Sequence, residues 1–340
     1  MRTPLILLAM AAAIVLPSLR AEPSRSSRAL YNFNPAWKLF AGDPTNAAAA
    51  DFDDSAWQTV TLPHAWNEDS AFKVSIHDLP TGVAWYRKHF QLPANAVGKK
   101  VFLEFQGIRQ GGEFYLNGQW IGRHENGVMA FGFDLTDKLK PAPAENVIAV
   151  RIDNSWRYRE KDTGSGFEWN DNNFYANYGG INKNVLLHIT DRLHQTLPLY
   201  SNLRTTGVYV YAQDFDLAGK AATVTAEAQV QNEYAEPKQF SYEVTITDVE
   251  GKWVASIPGG NQSLASGEMK TVHASARVTP LDFWSWGHGS LYDVTTTLKL
   301  DGQAVDTVVT RTGFRKTEFG HGMLKLNDRA IQLKGYAQRS

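Results

Sequence analysis

Residues 113–122 read EFYLNGQWIG, two segments rich in apolar and aromatic residues joined by Asn117-Gly118. Asn and Gly both tolerate the positive φ angles of a tight type I′ turn, and this pair between two such segments is the strongest short-range signal for a β-hairpin. The stretch therefore predicts two antiparallel strands, and it makes a β fold the starting hypothesis for the whole chain.

The sequence around this hairpin has the same β character. Dense apolar strands are predicted at 101–105, 147–152 and 185–189, and there is no amphipathic helical pattern of three turns, which argues against a doubly wound fold. The long connections between these strands are typical of a jelly-roll sandwich. We predict that this sandwich spans residues 30–192.

After Pro198 the chain changes to weaker, alternating strand patterns separated by Gly, Pro, Asn and Asp. Asp301-Gly302 marks a second tight hairpin. Short strands at this spacing predict an immunoglobulin-like β-sandwich over residues 198–314. The predicted strands lie near 206–212, 221–231, 240–247, 269–278, 290–300 and 304–311.

A third unit begins after residue 314. Two apolar segments, 323–326 and 331–333, flank Asn327-Asp328, so a further hairpin is predicted. Residues 333–340 read LKGYAQRS. They predict a buried strand with Ile331, Leu333 and Tyr336 facing inward, and this strand would carry Gln338 and Arg339 at its C-terminal end.

The N-terminus has the layout of a secretory signal peptide. A positive start is followed by an apolar run from Leu5 to Leu16, and a polar stretch begins at Glu22. Twelve apolar residues are too few to cross a bilayer as a helix. We expect residues 1–21 to be a cleaved signal peptide and the protein to be secreted or periplasmic, with no membrane partner; anchoring by this segment is the alternative.

Composition excludes several classes of function. The formal net charge is -1, which does not predict a nucleic-acid partner. The chain has no cysteine, so it has no disulfide, thiolate metal site or Cys nucleophile. Its nine His residues show no metal-ligand spacing, and no phosphate-binding or nucleophile-elbow motif occurs. We expect no cofactor and no metal. A pair of catalytic carboxylates from loops remains open, the contributors being Glu68, Asp69, Asp162, Glu168 and Asp171.

Residues 153–181, DNSWRYREKDTGSGFEWNDNNFYANYGGI, form the segment that points most directly to a ligand. Seven aromatic residues and a run of Asn and Asp occur here without strand alternation. Aromatic rings cover the apolar face of a sugar, while Asn and Asp hydrogen-bond its hydroxyl groups. Long loops in compact domains tend to be functional. A carbohydrate-binding loop is one reading, and a structural flap packed against a neighbouring domain is the other.

Several stretches resemble one family of enzymes. Residues 85–93, WYRKHFQLP, and the segment 105–136, which contains the first hairpin, resemble the sugar-binding domain of glycoside hydrolase family 2. So do the strand at 146–154 and Tyr178-Gly179-Gly180-Ile181. This family includes β-galactosidases, β-glucuronidases and β-mannosidases.

The second half of the chain resembles the same family. Pro280 to Trp284 is similar to its Pro-x-Leu-Trp element, and Thr312 to Arg315 is similar to the Gly-Phe-Arg signature that ends its second sandwich. Residues 326–335 are similar to the approach to its catalytic domain. The resemblance covers nearly everything from residue 30 onward.

The resemblance implies a third domain, an (α/β)8 barrel that holds two catalytic Glu residues. Residues 315–340 would be its start, so no catalytic residue can be assigned within this chain. Loops of the sugar-binding domain reach the active site in several members, and the matching segments are Asp78 to Gly82 and the polar run before Tyr178. We predict substrate contacts, none of them catalytic, from Trp169, Asp171, Asn172, Asn173, Gln338 and Arg339.

The resulting hypothesis is the N-terminal part of a secreted retaining β-glycosidase, similar to β-galactosidases, that acts on a β-galactoside or a related glycan. The chain on its own is expected to be inactive, and the intact enzyme could be a homo-oligomer. The alternative is a stand-alone carbohydrate-binding module.

Overall fold

The computed structural model describes residues 28–70, 73–75, 78–125, 127–166, 177–320 and 322–335. Across these residues the chain forms strands and loops, with short 3-10 turns that include Glu68–Ser70, Ala94–Ala96 and Thr136–Lys138. The prediction of an all-β fold is therefore confirmed. Within the same ranges, no helix has the length and apolar character needed to span a bilayer.

Two sheets face each other in the first sandwich. One has six strands in the order β3-β2-β5-β10-β7-β8, and the other has four in the order β1-β12-β6-β9. A small two-stranded sheet, β4 with β11, lies beside them. The strands are β1 (Ala29–Asn32), β2 (Trp37–Ala41), β3 (Gln58–Val60), β4 (His64–Ala65), β5 (Val83–Gln91), β6 (Lys100–Phe105), β7 (Gly111–Leu116), β8 (Gln119–His124), β9 (Phe131–Asp134), β10 (Glu145–Asp153), β11 (Gly180–Ile181) and β12 (Val185–Thr190).

The predicted hairpin at Asn117-Gly118 is confirmed as the β7–β8 connection. Both residues have positive φ angles, 52° and 82°. Because side chains alternate along a strand, Phe114 and Leu116 point into the core while Tyr115 points outward. Large aromatic rings fill the centre of this core, where Phe105 and Phe131 stack with their centroids 5.2 Å apart. Burial of this apolar surface is the main stabilising contribution to the sandwich.

The second sandwich also consists of β-strands joined by loops. One sheet has the order β17-β16-β19-β20, and in the other β15 pairs with β13, β14 and β18. Its strands are β13 (Leu193–Gln195), β14 (Val208–Asp216), β15 (Ala221–Asn232), β16 (Lys238–Asp248), β17 (Trp253–Leu264), β18 (Met269–Val278), β19 (Tyr292–Leu300) and β20 (Gln303–Thr312). Each of the six strands predicted after Pro198 is present. The short strand β13 also belongs here, so the sandwich includes residues before the predicted domain start at 198.

Strand β17 was not predicted. Its sequence WVASIPGGNQSL contains Pro258, Gly259 and Gly260, which normally argue against a strand. It lies at the edge of its sheet and pairs only with β16, with two register shifts. An edge position tolerates a residue without an amide proton, and a Cβ on Gly259 would lie 2.4 Å from the ring of Tyr242. Gly259 therefore allows close packing against Tyr242, whereas Gly260 adopts a positive φ angle of 73°.

The final described segment forms a three-stranded sheet of β21 (Thr317–Gly320), β22 (Met323–Leu326) and β23 (Arg329–Ile331). The hairpin predicted at Asn327-Asp328 is confirmed. The buried strand predicted for 331–336 is not seen in the described part of this segment. Strand β23 ends at Ile331, and Leu333 is 74% exposed. No described strand lies beside residues 332–335, and a strand without neighbours gains neither ladder hydrogen bonds nor burial. Tyr336, Gln338 and Arg339 lie outside the described residues.

The two sandwiches are joined by contacts of several kinds. The ammonium of Lys100 in β6 lies 2.6 Å from a carboxylate oxygen of Asp134 and 2.5 Å from one of Glu233 in the second sandwich. Leu197 and Leu199 of the connecting segment pack on Phe102. This joint is therefore both apolar and charged.

His194 is the buried titratable residue of this joint. Its Nδ1 atom has no hydrogen-bond partner among the described residues. Burial is the main influence and lowers the pKa of His194 to about 4; the carboxylate of Asp306 acts to raise it, while the charges of Arg28 and Lys100 lower it further. The folded protein therefore keeps this ring neutral at pH values where an unfolded chain would protonate it.

We expect acid to destabilise the protein through His194. Between pH 6.5 and 4 the unfolded chain binds a proton that the folded chain does not, so stability falls as pH falls through this window. From pH 7.5 to 5 the loss should be about 2 kcal/mol. Urea unfolding at both pH values measures it. The variant His194→Gln should lose less over this interval, whereas His273→Gln, at an exposed position, should behave as wild type; equal losses in all three would contradict the assignment.

Candidate functional site

The long loop between β10 and β11 is the candidate site. The structure describes its two ends, residues 154–166 and 177–179. The predicted contact residues Trp169, Asp171, Asn172 and Asn173 lie outside the described residues, so their roles stay predictions. What the structure does describe is how the base of this loop is held.

Three buried asparagines hold the two ends of the loop together; we call Asn67, Asn154 and Asn177 the asparagine clamp. Asn154 Nδ2 donates to the carbonyl oxygen of Asn177 over 2.8 Å, and Asn177 Nδ2 donates to that of Asn154 over 2.6 Å. The exposed fraction of each side chain is 2% or less. Buried amides with satisfied hydrogen bonds fix geometry, since any other arrangement leaves polar groups unpaired.

Asn67 and Asn154 extend the clamp to two other segments. Asn67 Nδ2 donates to the carbonyl oxygens of Pro80 (2.7 Å) and Asn177 (2.9 Å), and its Oδ1 accepts from the amide of Gly179 (3.0 Å). Asn154 Oδ1 accepts from the amide of Gly82 (3.1 Å) and from Trp66 Nε1 (3.2 Å). The segment ending at Gly82 and the residues before Tyr178, which the sequence singled out separately, therefore meet at one place.

Close packing at the clamp requires the glycine pair that follows it. A Cβ atom on Gly179 would lie 2.3 Å from Asn154 Cγ and 2.5 Å from Trp66 Nε1. Gly180 has a φ angle of +137°, and a Cβ there would lie 2.4 Å from the hydroxyl of Tyr86. The Gly-Gly pair allows the returning end of the loop to lie directly against the clamp.

Arg109 brings a positive charge to the same base. Its backbone exchanges two hydrogen bonds with Gly180, 2.9 and 2.7 Å, and its Nε donates to Asn177 Oδ1 over 3.3 Å. Burial lowers the pKa of this guanidinium, yet an arginine stays charged at physiological pH. The base of the loop thus combines buried, mutually hydrogen-bonded amide groups with a partly buried cation.

Two of the carboxylates considered as a catalytic pair have separate structural partners, and Asp69 is exposed. Glu68 Oε2 accepts from the amide of Ala65 over 3.0 Å. Asp162 is exposed and lies 3.6 Å from Arg123. Glu168 and Asp171 lie outside the described residues. Over the ranges that the structure covers, no group of three His, Asp or Glu side chains could hold a metal ion.

Sequence reasoning identified the loop but not its clamp. Asn154 and Gly179-Gly180 were noticed as parts of family motifs, whereas Asn67 gave no signal because it lies far away in the chain. The signal that could have pointed to the clamp was the pair Gly179-Gly180, since glycine permits close approach of the backbone to its neighbours.

Comparison with protein families gives two matches in order along the chain. Residues 33–191 match the family described as glycosyl hydrolases family 2, sugar binding domain. Residues 207–315 match a second description, glycosyl hydrolases family 2. The two matches correspond to the two sandwiches.

Known relatives agree with these matches. A β-glucuronidase of Formosa agariphila is 35% identical over 92% of this chain and 32% of its own length. A β-galactosidase of Thermoanaerobacter pseudethanolicus is 29% identical over 91% of this chain and 38% of its own length.

Solved structures extend the similarity to the fold. The structure of a β-glucuronidase from glycoside hydrolase family 2 superposes with a TM-score of 0.85 at 35% identity, covering 93% of this chain and 34% of that one. A Bacteroides uniformis β-glucuronidase 2, bound covalently to cyclophellitol-6-carboxylate aziridine, superposes with a TM-score of 0.77 at 27% identity, covering 91% and 35%. The chain thus spans about a third of the length of these relatives.

Proposed function

Because the chain belongs to glycosyl hydrolases family 2, we propose that it is the carbohydrate-recognition portion of a secreted, retaining β-glycosidase. Its substrates are β-linked glycans of the glucuronide or galactoside type. The names of the two relatives support both sugars, since one is a β-glucuronidase and the other a β-galactosidase.

One observation carries this proposal at the level of geometry. The asparagine clamp fixes both ends of a loop that is rich in aromatic and amide side chains, at 154–179. Holding both ends of a loop in place lowers the entropy that the loop loses when a ligand binds, and this supports a binding role.

The chemistry of the proposed reaction needs two carboxyl groups about 5 Å apart. One protonates the leaving oxygen, and the other attacks the anomeric carbon to give a covalent glycosyl-enzyme, which water then hydrolyses. We place both groups in a barrel domain outside residues 1–340, and we expect this chain to bind the sugar chain rather than cleave it. The two family matches end at residue 315, which is consistent with that division.

Secretion is the remaining part of the proposal. The apolar run from Leu5 to Leu16, with Arg2 before it and a polar stretch after Ala21, supports export and cleavage near Ala21. N-terminal sequencing of the protein from the culture medium or periplasm tests it; a mature protein that still begins at Met1 would contradict it.

We expect the purified chain to bind glycans without hydrolysing them. Incubation with the chromogenic β-glucuronide and β-galactoside of 4-nitrophenol should release no product, while a glycan array should show binding to β-linked uronic acid or galactose polymers. Alanine substitution of Trp169, Asn172 or Asn173 should weaken that binding. Turnover that persists through purification would contradict the placement of the carboxylates, and an empty array would contradict glycan binding.

A further inference from the structure

A cavity of about 440 Å³ opens on the described outer part of the same loop. Three cationic side chains, Arg157, Arg159 and Lys161, lie along its wall, and we call this cavity the basic pocket. Asp153 and Glu160 also line it, beside the ring of Tyr158. The volume lies within the usual range for small-molecule sites, so it has room for one sugar residue.

Hydrogen bonds to Glu125 hold the wall of the basic pocket in place. Tyr158 is buried, and its hydroxyl donates to Glu125 Oε1 over 2.6 Å; the amide of Lys161 donates to the same oxygen over 2.9 Å. Burial raises the pKa of Tyr158, and the hydrogen bond to Glu125 raises it further, so this phenol stays a proton donor. A Cβ on Gly111 would lie 2.1 Å from the Tyr158 hydroxyl, which shows how closely this ring is seated.

The backbone of the wall also forms hydrogen bonds within its own segment. Arg159 and Gly166 form an antiparallel bridge, and the amide of Glu160 donates to the carbonyl oxygen of Ser165 over 2.9 Å. Arg157, Arg159 and Lys161 all line the cavity from this one short segment. The backbone that carries these cations is therefore fixed by hydrogen bonds within its own segment.

The acidic and the basic side chains of the pocket differ in the partners that they have. Asp153 Oδ1 accepts from the amide and hydroxyl of Ser155, and Glu160 Oε2 accepts from the Thr163 hydroxyl. Arg159 Nη1 donates to the carbonyl oxygen of Gly164, a neutral group, and Arg157 is exposed. The two carboxylates are thus occupied by local hydrogen bonds. Among the residues that the structure describes, no carboxylate forms an ion pair with Arg157, Arg159 or Lys161.

We propose that the basic pocket is a subsite for an anionic sugar residue of the bound glycan. A guanidinium forms two parallel hydrogen bonds with a carboxylate or a sulfate, and Lys161 adds a mobile point charge. The remaining lone pairs of Asp153 and Glu160 accept hydrogen bonds from sugar hydroxyls. A neutral galactan supplies no negative charge to these three cations. This inference rests on the proposed glycan-binding function and narrows its substrate class to acidic glycans.

Calorimetric titration of the full chain with three hexasaccharides tests the inference. The probes are a hyaluronan hexasaccharide, which carries carboxylates, a κ-carrageenan hexasaccharide, which carries sulfates, and a neutral β-1,4-galactohexaose. At least one acidic probe should bind about tenfold more tightly than the neutral one, and Arg157→Gln should remove most of that preference. Which acidic probe is preferred identifies carboxylate or sulfate as the group recognised.

Lys252→Gln is the matched control, because it removes the same charge from an exposed turn in the second sandwich. It should leave the affinity unchanged, and both variants should melt at the wild-type temperature. Equal losses with Lys252→Gln and Arg157→Gln would overturn the subsite, since they indicate diffuse attraction of a polyanion. Neutral and acidic probes that bind equally would overturn the subsite and leave glycan binding standing. If no probe binds, both proposals fail.

Discussion

Asp306→Ala is expected to lower the free energy of unfolding by about 4 kcal/mol, the largest single effect that we anticipate. Asp306 lies in β20, is fully buried, and accepts from Arg28 Nε over 2.7 Å and from Arg28 Nη2 over 2.9 Å. It also accepts from the amide of Gln195 over 2.7 Å. Removal of the carboxylate takes the anionic partner from a largely buried guanidinium, which keeps its hydrogen bond to the Gln195 carbonyl oxygen. It also leaves the buried amide of Gln195 without its acceptor, so the desolvation of both groups is less well compensated.

The position of this pair adds to its expected effect. Arg28 directly precedes β1 of the first sandwich, whereas Asp306 and Gln195 belong to the second. Gln195 is itself fully buried, and its Oε1 accepts from Thr296 Oγ1 over 2.6 Å. The network therefore joins the N-terminus of the first sandwich to the two sheets of the second, so its loss should lower the stability of the joint as well as that of the core.

Calorimetry of Asp306→Ala and of a matched control measures the difference. The control is Asp293→Ala, which removes a two-fold hydrogen-bonded pair with Arg311 in the same sheet, 2.8 Å for each contact. Arg311 is exposed, so solvent screens this pair and its loss should cost less than about 1 kcal/mol. Similar losses for the two variants would contradict a role for burial.

The second large effect is expected from Asn154→Ala at the asparagine clamp, with a loss of about 3 kcal/mol. The substitution removes the acceptor for the Gly82 amide and for Trp66 Nε1, and the donor to the Asn177 carbonyl oxygen. These groups are buried or partly buried in the folded chain, so water cannot replace the lost partner without local opening. The loop ends should separate, and the loop should become accessible to proteases.

Urea unfolding and limited proteolysis together test this expectation. Cleavage within residues 155–176 should accelerate at protease concentrations that leave the wild-type loop intact. Asn95→Ala is the control, because this exposed asparagine accepts one long contact of 3.3 Å from the Tyr31 hydroxyl. Its substitution should change stability by less than about 0.5 kcal/mol. A wild-type cleavage pattern for Asn154→Ala would show that the loop is held by other contacts.

The elements that were predicted correctly depend on neighbouring residues alone. The turns at Asn117-Gly118, Asp301-Gly302 and Asn327-Asp328 all have positive φ angles at both positions, and residue type decides whether such angles are tolerated. Strand β17 was not predicted, because its formation depends on its position in the assembled sheet. Whether Pro258 and two glycines are compatible with a strand depends on whether that strand lies at an edge, and this is a property of the assembled sheet.

The same distinction between local and tertiary features applies to the candidate site. Composition alone pointed to residues 153–181, because aromatic and amide side chains are the groups that bind sugars. The clamp could not be predicted, since Asn67 and Asn177 are separated by more than a hundred residues and hydrogen-bond only after the sheets form. The basic pocket was likewise hidden, because the sequence Arg-Tyr-Arg-Glu-Lys does not show that Tyr158 is buried on Glu125 while its neighbours face a cavity.

Sequence therefore determined the all-β class, the two sandwiches and the family, and it supplied the candidate loop. Alternation, turn chemistry and motif order all depend on local stretches of the chain. Tertiary structure alone decided which polar residues became buried partners, as at Asn154 and Asp306, and which cations remained at a surface cavity. The physical reason is that burial and hydrogen bonding depend on groups distant in sequence, and the cost of leaving such groups unpaired arises only in the packed protein.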